Sequence, residues 1–172
     1  MTKKIKIVLA TIAISVLTLN PINAYTKQNY GSKTPTIQFK VSADKKYNDD
    51  ILRSMKAWNE AVPGVSITTN KKASNVIFSG YYNTNWVGYY TWVTNSKGEV
   101  TSFNIYINEK HLNGKSDEFI QSVIVHELGH ALSLADNPPN AVSIMQYSRN
   151  RNVMYVPQKD DIEGVKNIYN LN

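Results

Sequence analysis

The run from Phe119 to Leu134 is apolar almost all round, yet it carries two histidines and a glutamate in its middle. Phe119, Ile120, Val123, Ile124, Val125, Leu128, Leu132 and Leu134 leave no broad polar face, and a helix of that kind is buried. His126 and His130 would stand one above the other on it, both rings within reach of a single ion. Burying two imidazoles and a carboxylate is costly unless each is paired or bound to metal. Glu127 follows His126 directly, where a general base for a metal-activated water is expected. Asp136 lies beyond the expected helix end, where the chain can fold back with a third ligand. Three protein ligands and one open position describe catalytic zinc, whereas structural zinc is closed by four. The blander alternative is a pair of helix histidines, each satisfied by a hydrogen bond. The chain has only 3 histidines, however, and two of them have this spacing.

The stretch Val125 to Asp136 resembles the signature of the metzincin zinc endopeptidases, and of the matrixin-like enzymes among them. Their motif is HExxHxxGxxH followed by a methionine-containing turn. His126, Glu127 and His130 match it directly. Ser143-Ile144-Met145-Gln146-Tyr147 is similar to the Met-turn, with a tyrosine two residues after the methionine, as in astacin-like and serralysin-like members. Pro157-Gln158-Lys159-Asp160-Asp161-Ile162-Glu163-Gly164-Val165 is similar to the start of the matrixin C-terminal helix, where an acidic pair braces that turn. The likeness is strong over residues 117–169 and only architectural before them.

Two positions depart from the pattern. Asp136 stands where the third histidine is usual, as in the snapalysin variant HExxHxxGxxD. Its alternative role is to open the Asp-Asn-Pro-Pro loop through an Asx-turn. Ser133 stands where the family has glycine at a sharp exit from the helix. A non-glycine residue at positive φ is uncommon, so either Ser133 takes that conformation or the helix ends differently.

Residues 1–24 read as a secretory signal: Lys3, Lys4 and Lys6, then an uncharged apolar run from Ile7 to Leu19, then Ile22-Asn23-Ala24 at a cleavage position. The run is short for a spanning helix, although an uncleaved anchor stays open. Its removal leaves about 148 residues, one ordinary domain, and lowers the formal charge from +6 to +3. That is too mild for a nucleic-acid surface. With 0 cysteines there are no disulfides, and latency through a cysteine–metal contact is excluded.

Tyr25 to Pro35 is polar and rich in turn formers, so a flexible N-terminal arm is expected over 25–35. A catalytic domain then runs over 36–172. Thr36–Val41, Val65–Thr69, Asn75–Ser79, Trp86–Val93 and Val100–Asn108 read as strands, the last two joined by the turn Asn95-Ser96-Lys97-Gly98. Asp49–Val62 carries Ile51, Leu52, Met55 and Trp58 at helical spacing and stops at Pro63-Gly64. Ser116 with Asp117 and Glu118 starts the helix of the histidines, and Asp160–Asn170 is a final helix. Pattern alone gives an α+β domain. The resemblance implies more: a metzincin-like catalytic domain with a twisted, mostly parallel sheet of about five strands, two helices packed on it, and a C-terminal helix.

Other residues carry weaker signals. His111 reads as a solvated residue of a loop. Tyr81, Tyr82, Trp86, Tyr89, Tyr90 and Trp92 are either strand-forming aromatics on a half-buried sheet or the rim of a cleft whose edge strand pairs with a peptide. Met154-Tyr155 competes with Met145 for the Met-turn but leaves little room before Asp160. Matrixins hold further ions between their later strands through His and Asp, and Ser79 to Asn108 contains neither. One Zn2+ and no structural calcium are therefore expected.

The resulting reading is a secreted, monomeric zinc metalloendopeptidase acting on protein or peptide, with no nucleic-acid partner and no stable membrane association. His126, His130 and Asp136 hold the metal, Glu127 is the general base, and the Tyr147 hydroxyl assists the oxyanion. The rivals are a non-catalytic secreted zinc-binding domain that binds peptides or a cell-wall component, and a secreted α+β domain without metal.

Overall fold

A computed structural model describes residues 25–172. The segment read as a signal, residues 1–24, lies outside them. Five strands are present: β1 (Thr36–Ser42), β2 (Ser66–Thr69), β3 (Asn75–Gly80), β4 (Gly88–Thr94) and β5 (Val100–Asn108). They form one sheet in the order β2-β1-β3-β5-β4. All pairings are parallel except β4 with β5, whose hairpin closes through Gly98 at φ 76°. The fold is α+β with a mostly parallel five-stranded sheet, and β4 is an edge strand.

Four helices accompany the sheet: α1 (Asn48–Ala61), α2 (Glu109–Leu112), α3 (Asp117–Ala131) and α4 (Lys159–Tyr169). The apolar stripe of α1 is Ile51, Met55 and Trp58, with Ser54 between them. Leu52, expected within that stripe, points outward at 55% exposure. α1 packs against α3, where the Trp58 indole donates to the carbonyl of Val125 at 2.9 Å. That bond satisfies a buried donor that apolar packing alone would leave orphaned. Ser116 caps α3 by accepting from the Phe119 amide, with Asp117 and Glu118 in the first turn. α3 is buried from Ile120 to Gly129, as its continuous apolar surface requires.

α2 is a single turn where a loop was expected. Asn108 caps it by accepting from the Lys110 amide at 3.1 Å. His111 lies in this turn, half-buried, with Nε2 2.7 Å from the carbonyl of Thr84. Among the described residues no helix is long and apolar enough to cross a membrane.

Residues 25–35, expected to be loose, run along the chain beyond α3. Gln28 N donates to Ser133 O, Thr26 O accepts from Ala135 N at 2.8 Å, and Gly31 O accepts from Val100 N. Tyr30 stacks on Trp92 of β4 with ring centroids 3.8 Å apart. The segment is a strap between the hairpin and the exit of α3. Its polar composition suits strand-like pairing through backbone groups, which sequence pattern does not distinguish from a loop.

Candidate metal centre

α3 ends in a Schellman motif built around Ser133. Ser133 N donates to His130 O and Leu134 N donates to Gly129 O, the two bonds that close such a C-terminus. Ser133 occupies the left-handed position at φ 71°. Of the two alternatives left by the sequence, this is the one in which serine takes the glycine conformation. Left-handed backbone costs a non-glycine residue roughly 1–2 kcal/mol. Ser133 Oγ accepts from the amide of Ser32 at 3.1 Å and shares a hydrogen bond with the Tyr169 hydroxyl. At about 1 kcal/mol each, these bonds offset the strain.

The turn sends the chain back so that Asp136 meets both histidines. Asp136 Oδ1 lies 3.3 Å from His126 Nε2 and 3.7 Å from His130 Nε2. Among the described residues this is the one group of three or more potential ligands close enough to share an ion. The other ring nitrogens are held by carbonyls: His126 Nδ1 donates to Ile144 O and His130 Nδ1 donates to Leu134 O, both at 2.9 Å. A carbonyl only accepts, so each Nδ1 carries the hydrogen and each Nε2 offers its lone pair to the same point. Burial pushes the pKa of His126 down to about 4 and lowers that of His130. Both rings are thus neutral near pH 7, the form that ligates metal. The His126 contact holds Asp136 below the usual carboxylate range.

The Ser143–Tyr147 turn supports the centre from below. Met145 is buried, with its sulfur against Gly129 between the two histidines. Met154 packs at the edge of the core instead, so Met145 is the methionine under the site. Asp161, fully buried, accepts from the amides of Ile144 and Gln158 at 2.8 Å and from the Ser143 hydroxyl. One carboxylate therefore joins the turn to the start of α4, and through Ile144 it reaches the His126 ring. Asn137 ties the Asp136 segment to the same turn through Ser143 and to the strap through Thr26.

Residues 90–170 match the matrixin family model. The match runs from β4 through α4 and supports a matrixin- or metzincin-like family, with a zinc metallopeptidase activity at the family level. No curated protein matches the sequence. Among solved structures, a chain of the GM1-bound form of the ECX AB5 holotoxin superposes with a TM-score of 0.57 at 16% identity, covering 85% of this chain and 87% of that one. That likeness is one of fold. The matrixin match includes every proposed ligand and the Met145 turn, but not the strap.

A cavity of about 530 Å³ opens beside the three ligands. Glu127 lies in its wall, 5% exposed, and burial pushes its pKa up to about 8. Gly88 makes room for it: a Cβ there would stand 2.6 Å from Glu127 Oε1. A side chain at that position would push the edge strand away from the carboxylate. Tyr147 lines the cavity and is 66% exposed. The aromatic stretch serves both of its readings: Tyr90 is a core residue that also lines the cavity, together with Trp86, Tyr89 and Trp92. Gln28, Arg149 and Arg151 also line it and were not singled out by sequence. The arginines had a signal, being two closely spaced cations just past the Met145 turn. Gln28 had none.

Proposed function

We propose that the chain is a secreted zinc endopeptidase in which His126, His130 and Asp136 hold the ion. The observation that carries this reading is the convergence of two Nε2 lone pairs on Asp136, with each Nδ1 fixed by a carbonyl. The donor set, two neutral imidazoles and one carboxylate with an open side toward a cavity, suits catalytic zinc. When bound, zinc supplies Lewis acidity for a carbonyl and for a water molecule.

The chain's own residues do the rest. β4 offers its unpaired edge to an extended peptide, and Gly88 keeps that edge against Glu127. Glu127 takes a proton from the attacking water and returns it to the departing amine. Its raised pKa favours the second half of that cycle, since a buried carboxyl holds a proton readily. The Tyr147 hydroxyl donates to the oxyanion. The region read as a signal would carry the protein out of the cell, where the absence of cysteine matters little to a domain built on one core.

Cleavage of a peptide library by the zinc-loaded protein, with and without a chelator, tests the proposal, with Glu127→Ala as the control. Chelator-sensitive cleavage that the variant loses supports it. Bound zinc without cleavage would leave a zinc-binding protein that is no peptidase. Stoichiometric zinc in His130→Ala would overturn the ligand set.

A further inference from the structure

Arg53, Arg149 and Arg151 are the only arginines in the sequence. Arg53 pairs with Asp50 and Asp117. The other two line the cavity beside Glu127, and among the described residues neither has a carboxylate within ion-pair distance. Arg149 is 4% exposed: Nε donates to Ser122 Oγ at 3.0 Å, Nη2 to Ser122 O and Nη1 to Gln146 O, and Nη1 also lies 3.2 Å from His126 Nδ1. Arg151 is half-buried. Its guanidinium lies over the rings of Phe119 and Tyr147, Nη2 donates to Tyr147 O at 3.0 Å, and Nε is buried with no acceptor at all.

A guanidinium out of water without a counter-charge is expensive. Two of them at one wall set up a positive field that no carboxylate at ion-pair distance neutralises among the described residues. Glu127 and Asp136 line the same cavity, but among the described residues neither comes within ion-pair distance of either guanidinium. The fixed fork of an arginine with unused donors matches a carboxylate in two-point contact. Lysine-type or apolar side chains would find repulsion or an unsatisfied donor there instead.

Resting on the peptidase reading, we propose that this wall is a specificity subsite for an acidic residue, so that the substrate carries Asp or Glu next to the cleaved bond. Arg151 contacts that carboxylate. Arg149, anchored behind it on Ser122 and Gln146, is a positioning residue that supplies field rather than contact.

The test uses zinc-loaded protein and blocked peptide sets in which each position near the cleaved bond carries Glu, Gln or Lys in turn. Both equilibrium binding and kcat/KM are measured, for wild type, Arg151→Gln and Arg151→Glu, each checked for an unchanged Tm. Wild type favours Glu over Gln at one position by about tenfold or more, the range of a charge-assisted hydrogen bond. Arg151→Gln brings the ratio near one and Arg151→Glu shifts preference to Lys. Cleavage with equal rates for Glu and Gln, or a Glu preference that survives Arg151→Glu, overturns the subsite and leaves the peptidase standing. Arg151-dependent Glu preference in binding without any cleavage keeps the subsite and overturns the peptidase. Neither cleavage nor a Glu preference in binding overturns both.

Discussion

Gln28 and His130 meet side chain to side chain, Gln28 Nε2 standing 3.0 Å from His130 Nδ1 across 102 positions of sequence. Because Nδ1 donates to Leu134 O, the complementary amide atom is oxygen, and Gln28 Oε1 is otherwise buried without a partner. A half-turn of the amide exchanges the two atoms and brings the oxygen to the Nδ1–H of His130. The strap thus supplies an outer partner to a proposed metal ligand. Such partners are worth about 10–100-fold in metal affinity. Gln28→Leu is expected to weaken zinc binding toward the lower end of that range, since Leu134 O remains. Chelator competition reads the change, and unaltered affinity would reduce the strap to scaffolding.

Ser133 gives a second prediction, through a pair of variants. Ser133→Gly removes the left-handed strain and the two Oγ hydrogen bonds together, so its stability stays within about 1 kcal/mol of wild type. Ser133→Ala keeps the strain and loses the bonds, and is expected to be less stable than Ser133→Gly by about 1 kcal/mol. Denaturant unfolding of the metal-free proteins ranks them. The reverse order would mean that the positive φ at this position carries no cost for a residue with a Cβ.

Glu127→Gln separates catalysis from stability. Turnover should fall by about 10²–10⁴-fold with zinc retained. In metal-free protein the same change should stabilise at alkaline pH. The folded-state pKa of Glu127 is raised by burial from 4.5 to about 8, so the folded protein holds a proton that the unfolded chain releases. Wild type therefore loses stability as pH climbs from about 4.5 to 8, and the loss is complete above that. The variant has no such loss, and its Tm advantage should grow through this window to ~5 °C or more. A gap that stays constant with pH would contradict the raised pKa.

Tyr147→Phe deletes one hydroxyl from an exposed ring and should leave Tm and zinc content alone. Loss of one oxyanion donor costs about 10²–10³-fold elsewhere, and a donor that only assists should cost less. Because the contact forms mainly in the transition state, kcat should drop while KM holds. Unchanged kcat would remove Tyr147 from the reaction.

The sequence by itself determined most of the elements and which residues are candidates for the site. Alternation in Thr36–Val41, the stripe of Ile51, Met55 and Trp58, and the Ser116 cap are local signals, and local signals set strands, helix faces and helix starts. The spacing of His126 and His130 fixes their common face on any α-helix. Tertiary structure decided everything that joins distant segments. Parallel pairing of β1, β3 and β5 depends on crossovers that leave no mark in local periodicity. The same holds for the strap: Thr26, Gln28 and Ser32 read as loop because their partners, Ala135, His130 and Ser133, lie about a hundred residues away. Whether Ser133 could take a positive φ was undecidable from its identity, because the compensating groups come from Ser32 and Tyr169. Arg149 and Arg151 look like two surface cations in the sequence. Only the fold turns them inward beside Glu127, with no carboxylate at ion-pair distance among the described residues, and that gives them a meaning that charge counting does not.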